Sequence, residues 1–305
     1  MPVEESSVLL DGPWRHRSVA ANGARFHVAE CGPPDGPLVL LLHGFPQFWW
    51  AWRSQLVALG RAGFRAVAPD LRGYGASDKP PRGYDPYTLA SDVAGMVRAL
   101  GARNAVVVGA DWGGMLAWTV ATLHPGVVSR LAVLAMPHPL RLRQAVLSDR
   151  AQLRALSPVA FSQLPRAPEA RLSRHDGAGA AALLHRWGGP GYPDADTEAR
   201  CRAAVQVPGV AHCSMEGYRW AVRSRTRPSG WRFLRLLERG VGVPTLQVHG
   251  ALDPLLLART AHGSGAWVAA PYELHVLDGV GHFPAEEAPD HVCAALLAHA
   301  SAAAP

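Results

Sequence analysis

Lysine is nearly missing from this chain of 305 residues: Lys79 stands alone, and the other basic side chains are arginines and histidines. Cysteine is sparse as well. Cys31, Cys201, Cys213 and Cys293 are scattered with no CxxC pair, which argues against a zinc site and against a disulfide framework. Apolar runs are short: residues 38–42 and 105–108 fall far below the about 20 that a membrane span needs. Charged residues make up 18% against 49% hydrophobic ones, a balance that excludes wholesale disorder and fits a globular chain. Near the start, Glu4 and Glu5 stand where a signal peptide needs basic residues and then an apolar core. A cytoplasmic protein is expected. The length suits one large domain or a core with an insert.

The net charge of +6 is unevenly spread. Residues 137–240 hold 17 arginines against 8 acidic residues, while the remainder is net negative. Arg141, Arg143, Arg150, Arg154 and Arg166 are dispersed rather than clustered with stacking aromatics, as a nucleic-acid groove would want. A solvated basic face is expected, with no nucleic-acid partner.

Residues 14–19 and 25–28 flank Asn22-Gly23, a two-strand hairpin signal. Apolar runs at 38–42, 64–68, 105–108 and 128–134 then alternate with helix-like stretches at 48–59, 87–100 and 112–123. Past Pro137-His138-Pro139 the rhythm breaks, and the chain through residue 240 reads as helix and loop without a clear strand. Alternation resumes with a strand at 245–249, a helix after Leu255, a strand at 272–277 and a helix at 292–300. The expected fold class is α/β: a mostly parallel, doubly wound sheet built by residues 1–136 and 241–305, with a helical insert at 137–240.

In such a sheet, functional groups collect at the carboxyl ends of strands. After the third apolar run stands Gly109-Ala110-Asp111-Trp112-Gly113. Small residues two before and two after a nucleophile let a strand turn sharply into a helix and lift the middle side chain above the sheet. The usual occupant is serine. Here it is Asp111, whose carboxylate can attack a saturated carbon and form an ester. An aspartate can also simply cap the helix that starts at Trp112. The flanking glycines suit the turn rather than a cap, and favour the nucleophile.

The order nucleophile, acid, histidine is completed by Asp253 and His282, each after a late strand. Asp253 would fix the histidine's tautomer, and His282 would activate the water that hydrolyses the ester. The backbone N–H groups of Phe45 and Trp112 are placed to hold the resulting oxyanion. His43 and Pro46, on either side of that Phe45 loop, are further candidates for binding substrate or oxyanion, while His124 and His249 read as structural. The three residues complete the chemistry, so no metal and no organic cofactor is implied.

The pieces HGFP (43–46), DLRGYGASD (70–78), GADWGG (109–114), MPHP (136–139), GALDP (250–254) and GHFP (281–284) together resemble the α/β-hydrolase superfamily. Within it they look most like the epoxide hydrolases. The resemblance implies that residues 137–240 are a helical cap, or lid, over the site. It implies an apolar epoxide and water as reactants, a vicinal diol as product, and detoxification, catabolism or biosynthesis as the setting. Haloalkane and haloacid dehalogenases share the aspartate and the tryptophan after it, so dehalogenation is the alternative; a non-catalytic binding protein is a further one. A homodimer is left open.

Epoxide hydrolases use cap tyrosines to hydrogen-bond the opening oxygen. Tyr218, followed by Arg219, is similar to the second of them. The stretch 157–165, similar to the segment of the first, has no tyrosine. Either Tyr218 acts alone, or Tyr192, His185 or another cap residue stands in.

Overall fold

The computed structural model describes residues 3–302. It contains one eight-stranded sheet: β1 (Arg15–Ala21), β2 (Ala24–Cys31), β3 (Leu38–Leu42), β4 (Arg65–Pro69), β5 (Ala105–Ala110), β6 (Val128–Leu134), β7 (Thr245–Gly250) and β8 (Tyr272–Leu277). Their spatial order is β1-β2-β4-β3-β5-β6-β7-β8. β1 and β2 form the antiparallel hairpin turned by Asn22-Gly23, β2 runs antiparallel to β4, and the remaining pairs are parallel. β3, β5 and β7 are buried along their whole length. That is why β3 and β5 read as unbroken apolar runs rather than as alternating patterns, while in β7 the polar side chains of Thr245, Gln247 and His249 are buried as well.

Helices flank the sheet: α1 (Arg53–Arg61), α2 (Pro86–Ala99) and α3 (Trp112–Leu123) precede β6. Between β6 and β7 come α4 (Pro139–Ser148), α5 (Arg150–Ala155), α6 (Ser157–Phe161), α7 (Ala167–Trp187), α8 (Ala195–Gln206), α9 (Val210–Arg223) and α10 (Pro228–Leu237), with no strand among them. Last come α11 (Ala258–Ala261), α12 (Pro284–Glu287) and α13 (Pro289–Ser301). α1 packs against α13, and α2 against α3. Two expectations are refined. The helix expected after Leu255 is a single turn, and the stretch expected as helix at 48–59 starts as a 3₁₀ turn at Trp49–Trp52. No helix among the described residues is long and apolar enough to cross a membrane.

Candidate active site

β5 delivers Asp111 to the site, and the backbone there is forced. Asp111 has φ 47° and ψ −115°, in the left-handed half of conformational space that L residues rarely enter. The two glycines make the turn possible. A Cβ on Gly109 would lie 2.1 Å from the carbonyl oxygen of Gly113, and one on Gly113 would lie 2.1 Å from that of Leu42. The carboxylate does not cap α3. Its Oδ2 accepts instead from the Phe45 N–H at 2.9 Å. The cap reading of Asp111 therefore fails.

His282 follows β8 and Asp253 follows β7, and both side chains are buried. His282 Nδ1 lies 2.7 Å from Asp253 Oδ2, while Asp253 Oδ1 accepts from the N–H groups of Leu255 (2.8 Å) and Leu256 (2.9 Å). His249 closes the same turn, its Nε2 donating to the Leu256 carbonyl at 2.6 Å. The other imidazole nitrogen of His282 stands 3.4 Å from Asp111 Oδ1, without an aligned hydrogen bond. Burial alone would hold this histidine neutral, but the carboxylates of Asp253 and Asp111 outweigh it and push its pKa up to about 10.

Above Asp111 sits Tyr218 of α9. Its ring meets that of Phe45 edge-on at 5.6 Å and that of Trp112 at 5.2 Å. Gly217 lets the helix rest on the indole, since a Cβ there would come within 2.3 Å of the Trp112 ring. The Tyr218 hydroxyl is buried with no hydrogen-bond partner. Burial first, and the charge of Asp111 second, hold its pKa well above the usual phenol range, so it remains an O–H donor. A cavity of about 250 Å³ opens between these groups and α6 and α7, lined by Phe45, Trp187, Met215 and Tyr218 among others.

Other residues singled out from the sequence lie elsewhere. His185 projects from α7 into solvent, its side chain 55% exposed, with Nε2 2.8 Å from Glu198 Oε2. Helical periodicity turns it away while Trp187 faces inward. Tyr192 is partly buried, but its hydroxyl already donates to Glu286 at 2.8 Å and its ring stacks on Phe283 at 5.0 Å. It has no free proton to offer a substrate. His43 is fully buried; its Nδ1–H donates to the Gly44 carbonyl at 2.9 Å, and its Nε2 accepts from the Leu71 N–H at 3.0 Å. Burial lowers its pKa and keeps it neutral, so it braces the loop beside Asp111 rather than binding an oxyanion. Pro46 is buried and has no N–H to give. In the tyrosine-free stretch, Phe161 lines the cavity and the Ser162 hydroxyl donates to the Val159 carbonyl at 2.6 Å.

The family model described as alpha/beta hydrolase fold matches residues 37–289. The chain is 31% identical to epoxide hydrolase A of Mycobacterium tuberculosis, over 94% of this chain and 97% of that protein. The crystal structure of epoxide hydrolase A from Mycobacterium thermoresistibile superposes with a TM-score of 0.78 at 29% identity, covering 93% of this chain and 97% of that one. The Bacillus megaterium epoxide hydrolase solved with an inhibitor gives 0.82 at 26% identity, over 92% and 98%. This chain belongs to the α/β-hydrolase family, among its epoxide hydrolases.

Reading strand ends missed two glutamates that organise the histidine loop of this hydrolase. Glu287 Oε2 accepts from the N–H groups of Gly281 and Gly189, each at 2.7 Å, and Oε1 from that of Phe283 at 2.8 Å. One carboxylate thus holds the amides on both sides of His282 and ties them to the turn after α7. The His282 N–H itself donates to the Trp187 carbonyl at 2.9 Å. Glu286 is bound by Arg53, Gln47 and Tyr192, and its burial raises its pKa. The signal in the sequence was the Glu286-Glu287 pair just after His282, which resembles ordinary surface charge. Glu287→Ala strands three amides, and unpaired buried groups cost about 1–3 kcal/mol each. Denaturant unfolding should show a loss of about 2–4 kcal/mol, part of the gross cost being relieved by water. A loss under about 0.5 kcal/mol, within the range of ordinary surface substitutions, would mean that the loop holds itself.

Proposed function

We propose that this enzyme hydrolyses an apolar epoxide to a vicinal diol through an ester on Asp111. The observation that carries this reading is the freedom of the Asp111 carboxylate: uncapped, raised on a strained turn, one oxygen on the Phe45 N–H and the other facing His282. Helices α4–α10 act as the cap and bring Tyr218 over it.

In the first step Asp111 Oδ1 attacks a ring carbon, the ring C–O bond breaks, and its electron pair goes to the oxygen. Tyr218 hydrogen-bonds that oxygen and passes it a proton, so that a strongly basic alkoxide need not leave unaided. Esterification also removes the negative charge of Asp111. With one of its two carboxylate partners gone, His282 becomes less basic and can surrender its proton, which restores the Tyr218 phenol, and then take one from water. The hydroxide so formed attacks the carbonyl carbon of the ester. The oxyanion is held by the Phe45 N–H and by that of Trp112, which as the first residue of α3 has no partner within the helix. Collapse breaks the acyl C–O bond, the departing diol oxygen collects the proton from His282, and the carboxylic acid left on Asp111 returns its proton to His282, restoring the resting pair.

This sequence has an isotopic signature. With enzyme in excess of epoxide in ¹⁸O-water, the first diol should contain no ¹⁸O, because its new oxygen comes from Asp111. The Asp111 peptide should gain one ¹⁸O. Label in the first diol would mean direct attack by water and would sink the ester pathway. Halide release from haloalkanes, with no diol from any epoxide, would move the assignment to dehalogenation.

A further inference from the structure

The cavity above Phe45 and Tyr218 carries two arginines at its exposed edge. Arg171 and Arg186 both line it, and both belong to α7, whose path is interrupted by non-helical backbone at residues 174–177. The interruption folds the two halves of the helix against each other: at Gly179 a Cβ would lie 1.9 Å from the carbonyl oxygen of Arg171. Side chains from either end of one helix therefore share one rim. The Arg171 guanidinium lies over the Phe161 ring, 5.5 Å from its centroid. Neither arginine has an ion pair or side-chain hydrogen bond among the described residues. Arg219, on the adjoining α9, is by contrast held by Glu169 at 2.7 Å and Glu216 at 2.9 Å. No acidic residue lines the cavity to neutralise the rim.

The result is a polarised chamber. Its inner end is formed by Tyr218 and by Phe45, whose N–H holds the Asp111 carboxylate just behind it; its walls are apolar (Val159, Leu172, Leu183 and Met215), and its rim holds two uncompensated guanidinium groups. Apolar walls strengthen the field that a charge exerts along the chamber, and the planar guanidinium fork matches a carboxylate. An anion close to the epoxide ring would be repelled by Asp111, whereas one at the far end would meet the rim. We infer that the enzyme selects epoxides bearing a carboxylate or comparable monoanion remote from the ring, with Arg171 and Arg186 as its partners. This rests on the epoxide reading of the site and adds orientation to it: the anchored tail leaves the ring end over Asp111.

The test compares an aryl epoxide carrying a carboxylate across the ring from the oxirane with its methyl ester. In the wild-type enzyme, kcat/KM for the acid should exceed that for the ester by about tenfold, as two rim ion pairs of modest strength allow. The difference should lie in KM, because the contact is made equally before and during ring opening. The advantage should shrink as salt is added. In the Arg171→Gln/Arg186→Gln variant, which keeps the aliphatic stems, the acid-to-ester ratio should fall to about one. Equal KM values in the wild type, or a ratio that survives the double substitution, would overturn the anion site while leaving the epoxide reading intact. Turnover of neither compound would overturn that reading, and this inference with it.

Discussion

Asp111→Asn should lower epoxide turnover by about four orders of magnitude or more, since it removes the atom that forms the ester and leaves only binding and oxyanion donors. The amide keeps the shape of the carboxylate, and its oxygen can still accept from the Phe45 N–H, so the turn between β5 and α3 should persist. Circular dichroism and unfolding transitions should therefore stay close to wild type. A second consequence separates lost charge from lost fold. His282 owes its pKa of about 10 to two carboxylates working against burial. With one of them neutral, that value should fall, and an NMR titration of the imidazole would show it. A variant that kept full activity would eliminate Asp111 as the nucleophile, whatever the geometry.

His282→Gln should have a different character: the first step continues and the second stops. Intact mass after incubation with an epoxide should rise by the mass of the whole epoxide, mapped to Asp111, while steady-state turnover falls by about 10²–10⁴-fold, the usual worth of a general base. A gain equal to a haloalkane less HX would instead identify a dehalogenase. The pH behaviour of the wild type follows from the same pair. In the resting site a His282 pKa raised to about 10 means that the imidazolium predominates at neutral pH and costs the first step nothing. In the ester state the histidine has one carboxylate partner fewer, so its pKa is lower and the neutral base is populated. Ester hydrolysis measured in single turnover should therefore slow as pH falls through that lowered value. Ring opening should stay flat over the same interval. If ring opening lost rate in step with hydrolysis, the histidine would have to serve the first step as well.

The sheet was legible because its chemistry is local. β3, β6 and β8 begin and end where the sequence pattern places them. Asn22-Gly23 turns the first hairpin, as its backbone freedom requires. The α/β fold class follows from that alternation, and looking just past each strand leads to Asp111, Asp253 and His282. The helices of residues 137–240 were less readable. Their periodicity shows which side chains share a face, but not what that face meets. Tyr192 and His185 stayed open as stand-ins for the missing first cap tyrosine for that reason, yet Glu286 holds the first and solvent takes the second. Glu287 was harder still, since its partners are backbone amides and leave no trace in side-chain spacing.

By itself, the sequence determined where the chain must turn and what stands at the turn. The glycines at 109 and 113 sit where backbone carbonyls pass too close for any Cβ, and that constraint is written in the residues themselves. Tertiary structure decided which phenol keeps an unclaimed proton, which glutamate steadies the histidine loop, and which arginines reach the cavity edge. Each of those outcomes depends on surfaces meeting from distant parts of the chain. Burial and charge are properties of such meetings: the same tyrosine or arginine is inert or poised according to what packs against it.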